Sequence, residues 1–168
     1  MSSRTELPEF TIRQAAWGTD REALRSVRLA VFVQEQGVPE ELEWDSDDAG
    51  AVHLLGLSAE GTPIATARLL PTGQIGRMAV LPQWRGRGVG TALLREVLSL
   101  ATAPERPLPF LNAQVSALSF YERQGLVGFG EVFEEAGIPH RRMVLVPALS
   151  DEDRPTPDLD LAPPSRRG

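Results

Sequence analysis

The stretch Met78-Ala79-Val80-Leu81-Pro82-Gln83-Trp84-Arg85-Gly86-Arg87-Gly88-Val89-Gly90-Thr91 decides the fold of this chain. It begins as an apolar strand, passes through a turn with three alternate glycines and two arginines, and enters a helix. Such glycines let N–H groups point into one concavity and let a ligand approach without meeting a Cβ atom. The helix N-terminus adds unpaired N–H groups, so the segment predicts a phosphate or pyrophosphate site.

The two standard nucleotide-binding loops do not fit this segment. A Walker loop needs a lysine, and all 17 basic residues of the chain are arginine. A dinucleotide fingerprint has the spacing G-x-G-x-x-G in a first strand–helix–strand unit, whereas residues 86–90 read G-x-G-x-G and follow several predicted strands. A ligand-free turn is the remaining alternative, and three glycines with two arginines in six residues make it the less favoured one.

Working outward, hydrophobic periodicity predicts alternating strands and helices on both sides of this segment. Before it we predict a strand over Phe10–Ala15, a helix opened by a capping box of Thr19 and Glu22, and strands over Val52–Ser58, 64–70 and Gln74–Val80. After it we predict a helix over Val89–Ala101, a strand over 108–113, a helix over 116–124, and strands over 128–133 and 141–146. This order indicates a mixed sheet with helices on both faces, in an α/β or α+β domain.

Length and composition predict one domain. The 168 residues fit a single core over residues 1–149, and the Asp-, Pro- and Arg-rich residues 150–168 are predicted to be a disordered tail. No apolar run reaches the roughly 18 residues that span a bilayer, and no leader is recognised, so we expect a cytoplasmic protein without membrane contact. The net charge of −6 argues against nucleic acid as a partner.

Missing residue types narrow the chemistry. The chain has no cysteine and no lysine, which excludes thiolate nucleophiles, disulfides and Schiff bases. Two histidines, His53 and His140, are too few for a metal site built mainly from imidazoles, so no metal is expected. Each histidine is expected to be a packed structural residue rather than a catalyst. Catalysis is left to carboxylates, tyrosine, hydroxyls, arginine or the backbone.

Two motifs resemble those of a known family. Residues 85–90 match the Q/R-x-x-G-x-G/A signature of the GNAT superfamily of acyl-CoA-dependent N-acyltransferases. Residues 114–126 resemble its second motif, N-x-x-A-x-x-[FL]-Y-x-x-x-G-F, with Gln114 in place of asparagine and Leu126 in place of phenylalanine. Residues 28–39 and 135–140 are similar to the ElaA-like and YjcF-like branch. The resemblance extends over about residues 10–147.

The resemblance implies a GNAT-like fold, a central, mostly antiparallel twisted sheet whose fourth and fifth strands splay apart. It implies acetyl-CoA as co-substrate, with the pantetheine arm in the gap and the pyrophosphate on the amides of residues 85–91. A backbone N–H at Met78 or Ala79 would stabilise the developing oxyanion. The cofactor-binding residues that it implies are Met78, Ala79, Val80, Arg85, Gly86, Arg87, Gly88, Val89, Gly90, Thr91, Gln114 and Tyr121.

The resemblance also suggests catalytic roles. Tyr121 falls at the family position whose hydroxyl protonates the departing thiolate, the alternative being a tyrosine that only packs on the sheet. Gln114 either caps the following helix or contacts the pantetheine amide. Glu35 and Glu41 are the leading candidates to accept the proton of the amine, although a solvated acidic loop explains either residue equally well.

The sequence says less about the amine that receives the acetyl group. Residues 34–52 hold seven acidic residues and no basic one, which favours a cationic amine on a small molecule or peptide. Trp17, Trp44 and Trp84 are candidates to line its pocket, although Trp84 is better placed to pack beside the glycine turn. A homodimer is compatible with the sequence. The alternative function is a module that binds acyl-CoA and does not turn it over.

Overall fold

The computed structural model describes residues 9–145, which form one seven-stranded sheet with helices on both faces. The domain boundary predicted at residue 149 and the predicted tail over 150–168 lie outside the described residues. The strands are β1 Phe10–Ala15, β2 Val52–Ser58, β3 Pro63–Leu69, β4 Gln74–Val80, β5 Phe110–Gln114, β6 Leu126–Glu135 and β7 Ile138–Leu145. The α-helices are α1 Trp17–Arg28, α2 Glu40–Glu43, α3 Val89–Ala101 and α4 Leu118–Glu122.

The sheet is antiparallel except at one junction. Its strand order is β1-β2-β3-β4-β5-β7-β6, and β4 runs parallel to β5. Only Gln74 and Ile75 of β4 pair with β5, opposite Phe110 and Leu111. Beyond Ile75 the two strands separate, so the second half of β4 faces a gap. The predicted mixed sheet with splayed fourth and fifth strands is confirmed.

Each face of the sheet has its own apolar cluster. The larger cluster joins Leu93, Leu94 and Val97 of α3 to inward residues of the strands, among them Leu111 and Met143. The smaller one joins α1 and the segment after it to β4 on the opposite face, through Val27, Val31 and Ala79. Burial of apolar side chains on both faces stabilises the sheet from two sides. Within residues 9–145, no helix is both long and apolar enough to cross a membrane.

A bulge redirects the backbone of β4 where the gap begins. The register with β3 slips between Thr66 and Arg68, and Arg77 takes a left-handed φ of 48°. The Thr66 hydroxyl donates to the Arg77 carbonyl at 3.0 Å and fixes this irregularity. A bulge of this kind bends a strand and ends regular pairing.

Beyond the bulge, hydrogen bonding decides which backbone groups of β4 face the gap. The N–H of Leu81 donates to the Ile64 carbonyl at 2.9 Å, so Leu81 is bonded to the β3 side. The direction of main-chain hydrogen bonding alternates along an antiparallel strand. The N–H and C=O groups of Ala79 therefore also point to β3, and those of Met78 and Val80 point to the gap. The edge of β4 therefore directs main-chain groups of Met78 and Val80 to the side where β5 has departed, and one of them, the Val80 carbonyl, accepts a hydrogen bond from Arg85.

The structure corrects the predicted start of α1. The capping box of Thr19 and Glu22 is wrong, because Thr19 lies inside the helix, which begins at Trp17. The N-terminus of α1 is stabilised instead by Asp20, which accepts a hydrogen bond from the Ala16 N–H at 2.9 Å. Two hydrogen bonds from Arg13 hold the Asp20 carboxylate in place. The helix then continues past Arg28 as a π-helix over Leu29–Glu35, which the periodicity did not indicate.

The second half of the chain differs less from prediction. The helix expected over 116–124 is a 3-10 turn at Val115–Ala117 followed by the five-residue α4. The last two strands are longer than expected and form a hairpin, with β6 at the edge of the sheet. The predicted helix Val89–Ala101 and the predicted strands Val52–Ser58 and Gln74–Val80 have the expected bounds.

Candidate functional site

The gap between β4 and β5 opens into a cavity of about 930 Å³. It reaches the glycine loop at one end and the β6–β7 hairpin at the other. Many of the predicted site residues line it: Met78, Ala79, Val80, Arg85, Gly86, Gly88, Gly90, Thr91, Gln114 and Tyr121. Of the predicted cofactor-binding residues, Arg87 and Val89 do not line it, and Val89 is buried in the larger core.

The glycine loop forms a concave backbone surface. Gly86 and Gly88 have φ values of 73° and 84°, in the left-handed region that glycine adopts without strain. A Cβ atom built on either residue would meet no protein atom within 4 Å, so the space in front of both is open to a ligand. Gly88 is the N-cap of α3 and has no side-chain cap, so the first N–H groups of α3 are left for another partner. The loop therefore has the geometry expected of an anion site.

Ion pairs hold both loop arginines. Arg85 forms two hydrogen bonds with the Glu35 carboxylate, at 2.7 and 2.6 Å, and donates from Nε to the Val80 carbonyl at 3.0 Å. Arg87 pairs with Glu9 at 2.9 Å and lies over the Trp84 ring. The hydrogen bonds from Arg85 lower the pKa of Glu35, which makes that carboxylate a weaker base.

Tyr121 reaches into the cavity from α4. Its hydroxyl lies 3.8 Å from the Met78 sulfur, directly across the gap from β4. Burial raises the pKa of this phenol to about 12, so Tyr121 keeps its proton at neutral pH. A protonated hydroxyl at the gap is placed to give a proton to a leaving group held there.

The opposite wall of the cavity carries amides and a histidine. Gln114, at the end of β5, donates from Nε2 to the Gln36 side chain at 2.8 Å and thereby ties β5 to the end of the π-helix. His140 of β7 is the register partner of Gln114 and also lines the cavity, near Glu135. Gln36 was not among the predicted site residues, and His140 was expected to be structural. Gln36 meets Gln114 through a hydrogen bond across 78 positions, and His140 meets it through strand register, so no local pattern marks either contact.

Three arginines and three acids form a buried cluster under the β3–β4 side of the cavity. Arg28 is 1% exposed and donates to Glu43 at 2.8 Å and to both oxygens of Asp48 at 2.8 and 3.2 Å. Arg68 bridges Asp45 and Asp48 at 2.7 and 3.0 Å, and Arg77 reaches Glu43 at 3.1 Å. With Glu35 bound to Arg85, four of the seven acids of residues 34–52 are paired with arginine. The solvated alternative therefore fits the exposed Glu40, Glu41 and Asp47 and does not describe the four acids that are paired with arginine.

Several other candidates lie away from the cavity. Glu41 is exposed on α2 and does not line it. No tryptophan lines it: Trp17 stacks on His53, Trp44 lies under the guanidinium groups of Arg25 and Arg28, and Trp84 packs beside the glycine loop as expected. His53 is buried with Nε2 at 2.7 Å from the Asp48 carbonyl, which confirms its structural role.

Comparison with known proteins gives one consistent result. Residues 15–147 match the family model for the acetyltransferase (GNAT) domain. The chain is 35% identical over 127 residues to protein ElaA of Escherichia coli, covering 70% of this chain and 82% of that protein. It is 34% identical over 122 residues to the uncharacterized N-acetyltransferase YjcF of Bacillus subtilis, covering 70% and 86%.

Solved structures agree with the sequence comparison. The crystal structure of Escherichia coli ElaA superimposes with a TM-score of 0.71 at 31% identity, covering 80% of this chain and 98% of that one. An acyl-CoA N-acyltransferase from Pseudomonas aeruginosa superimposes with a TM-score of 0.72 at 30% identity, covering 82% and 99%. Together with the splayed strands and the glycine loop at the head of α3, these matches show that the chain belongs to the GNAT family of acetyltransferases.

Proposed function

We propose that this protein is an N-acetyltransferase that moves the acetyl group of acetyl-CoA directly to an amine of a small molecule or peptide. The observation that carries the proposal is the open edge of β4 beside the glycine loop. An extended ligand can pair with an open strand edge as an added strand. Pantetheine contains two amides at a spacing suited to such pairing, and its diphosphate end requires an anion site of the kind that residues 85–91 form.

The residues present fit acetyl-CoA at both ends of this edge. The left-handed glycines Gly86 and Gly88 leave an open cradle that a Cβ atom would fill, and the N-terminus of α3 adds donors to it. Met78 and Val80 direct their main-chain groups into the gap. The Arg85–Glu35 pair sits beside the same cradle, so a bound diphosphate competes with Glu35 for the guanidinium of Arg85.

The bound thioester supplies an activated acetyl group, and the chain supplies the groups around it. Of the two backbone donors expected from the resemblance, the register favours Met78, because the N–H of Ala79 faces β3. The Met78 N–H is aimed to stabilise negative charge developing on the thioester oxygen. Tyr121 donates its proton to the departing sulfur. The transfer needs no covalent enzyme intermediate, which agrees with the absence of cysteine and lysine.

For the acceptor we propose a cationic amine. Four acids of residues 34–52 are neutralised by arginine, so the support comes from the others, Glu40, Glu41 and Asp47, and from Glu135 at the cavity. All four are exposed. Exposed acids attract cations to the surface on which they lie and raise their local concentration, and Glu135 does so at the cavity itself.

Two measurements test the proposal. Acetyl-CoA at a hundredfold excess over its Kd is expected to add about 2.7 kcal/mol to the free energy of unfolding, seen as a rise in Tm. A panel of spermidine, kanamycin and an arginine-terminated peptide, with glutamate as the anionic control, is then followed by thiol release. We expect at least one cationic amine to accelerate CoA release and glutamate not to. A protein that is stabilised by acetyl-CoA but releases CoA no faster with any amine would be a binding module instead.

A further inference from the structure

We propose that His140 is the general base that takes the proton from the attacking amine. The inference rests on the proposed function and adds a group that the sequence analysis assigned to packing. An ammonium with a pKa near 10 has no lone pair, so attack on the thioester requires a proton acceptor on the acceptor side of the site. Three observations carry the proposal: the position of His140, its tautomer, and the state of the competing carboxylates.

The strand register places His140 on the face of the sheet opposite α3. Leu111 and Ala113 of β5 point into the larger core with α3. Successive side chains of a strand point to opposite faces, so Gln114, the residue after Ala113, points to the other face. His140 is the direct partner of Gln114 and therefore shares that face. Tyr121 packs against the larger core, on the α3 side. Tyr121 and His140 thus approach the gap from opposite faces of the sheet.

This separation matches the geometry of the transfer. The sulfur of the cofactor leaves toward the side from which the cofactor enters, where the glycine loop and Tyr121 lie. The amine adds to the carbonyl carbon from above or below the plane of the thioester, so we place it on the side of the gap that the glycine loop and Tyr121 leave free. The wall on that side is formed by Gln36, Gln114 and His140. Of these three side chains, only the imidazole can accept a proton near neutral pH.

Hydrogen bonding fixes the tautomer of His140. Its Nδ1 lies 2.6 Å from the carbonyl oxygen of Ile138, and a carbonyl oxygen can only accept a hydrogen bond. Nδ1 therefore carries the proton of the neutral ring, and Nε2 holds the free lone pair. The side chain is 11% exposed and lines the cavity, so this lone pair is sheltered without being sealed from a ligand.

Glu135 completes the arrangement. Its carboxylate lies 4.0 Å from Nε2 of His140 and is itself half exposed. When Nε2 takes the amine proton, the imidazolium that forms faces this negative charge, which stabilises it. Bases elsewhere in the site are worse placed: neither Glu35 nor Glu41 lines the cavity, and the carboxylate of Glu35 lies beside Arg85 of the glycine loop.

The proton balance is simple. The ammonium gives one proton to Nε2 of His140, and the amine nitrogen uses the freed pair to form the new C–N bond. As the tetrahedral intermediate collapses, the C–S bond breaks, the sulfur takes the proton of Tyr121, and the nitrogen loses its second proton, which restores Tyr121 through solvent. The imidazolium then loses its proton to solvent past Glu135, so one proton is released per transfer and both groups return to their starting states.

The test variant is His140→Asn, because the asparagine amide can replace Nδ1–H as donor to the Ile138 carbonyl while removing Nε2. We expect His140→Asn to keep the Tm rise caused by acetyl-CoA and to lose at least tenfold in kcat with the fastest amine of the panel, within the usual 10²–10⁴-fold range of general base catalysis. The acidic limb of the kcat/KM profile should disappear. The loss should shrink as the pH approaches about 10, where solvent leaves the amine neutral.

The matched control is His53→Gln, which removes the other imidazole and keeps a donor for the Asp48 carbonyl. It should leave the acidic limb unchanged. Among the described residues, the charged group facing Nε2 is Glu135 of β6, while β5 presents the neutral Gln114. An acidic limb that persists in His140→Asn at full rate, or that disappears in Glu35→Gln or Glu41→Gln instead, would overturn the assignment.

A second readout does not depend on turnover. The chain has two histidines, so ¹⁵N spectra with His53→Gln as reference identify His140 directly. We expect the neutral form of the ring to carry its proton on Nδ1, and the Nε2 signal to change when acetyl-CoA binds. A ring protonated on Nε2 overturns the inference even if the enzyme is active. A parent protein that binds acetyl-CoA and acetylates no amine overturns the proposed function, and this inference with it.

Discussion

At the scale of single residues, Tyr121 is the proton donor of the proposed transfer. It is the one tyrosine of the chain, and its hydroxyl stands across the gap from Met78. Its pKa is raised to about 12 by burial, so it is a weak acid that is fully protonated at working pH. Such a group protonates a thiolate as the C–S bond breaks without losing its proton beforehand.

Tyr121→Phe tests this role. Removing one hydroxyl barely changes packing, so we expect the variant to fold and to bind acetyl-CoA as the parent does. The transfer rate should fall at least tenfold, because general acid catalysis contributes about 10²–10⁴-fold. The rate is measured under single-turnover conditions at saturating acetyl-CoA, where product release does not mask chemistry. A transfer rate within twofold of the parent's would show that the departing sulfur takes its proton from solvent and not from Tyr121.

At the scale of elements, local patterns predicted most of the fold. The pattern of residues 78–91 predicted both the strand and the loop. The loop is predictable because the backbone at Gly86 and Gly88 has a φ near 80°, which glycine adopts without strain, and this is a local property. The strand Gln74–Val80 and the helix Val89–Ala101 followed from periodicity alone. What could not be predicted depends on distant partners. The buried cluster of three arginines and three acids joins residues up to 34 positions apart along α1, the acidic segment, β3 and β4.

The candidate site likewise combines residues from local motifs with residues that only the fold brings together. The proposed cofactor-binding residues lie in two contiguous motifs, and most of them line the cavity, so local patterns were enough to bring them together. Gln36 meets Gln114 across 78 positions, and His140 meets Gln114 through strand register. No local signal marks such pairs. The start of α1 was predicted wrongly for a related reason: Arg13, in the preceding strand, holds Asp20 in the capping position.

Gly88→Ala tests the loop. The φ of 84° at Gly88 strains an alanine by about 1–2 kcal/mol, and the new Cβ would occupy the cradle for the diphosphate. Gly61 is a matched control, because it has the same φ of 84° and open space around it but lies in the β2–β3 turn, away from the cavity. Both variants should lose similar intrinsic stability in cofactor-free melts. Only Gly88→Ala should lose the Tm rise with acetyl-CoA. Equal rises in both variants would show that acetyl-CoA does not bind at the glycine loop.

At the scale of the whole molecule, the buried ion cluster holds the acceptor side against the sheet. Arg28 of α1 fastens the acidic segment through Glu43 and Asp48, and Arg68 of β3 shares Asp48. Arg77, at the bulge of β4, is tied to Glu43 and Asp45. The cluster therefore connects α1, the segment after it, β3 and β4.

Arg28→Met tests the contribution of the cluster to stability. Removing the cation leaves Glu43 and Asp48 buried with fewer partners, and breaking a buried ion pair from one side costs about 3–5 kcal/mol. Urea unfolding measures the loss. Arg95→Met, at an exposed position on α3, is the control and should change the free energy of unfolding by less than about 0.5 kcal/mol. A loss below about 1 kcal/mol for Arg28→Met would show that the cluster is dispensable.

The central claim is that the gap between β4 and β5 brings acetyl-CoA and an amine together for direct transfer. The most direct measurement is a single turnover with radiolabelled acetyl-CoA, protein in excess and the fastest amine of the panel, quenched in acid over time. We predict that label passes from acetyl-CoA to the amine with equal release of CoA and that none is bound to protein at any time. Label that accumulates on the protein, or CoA released without acetylated amine, would contradict the account.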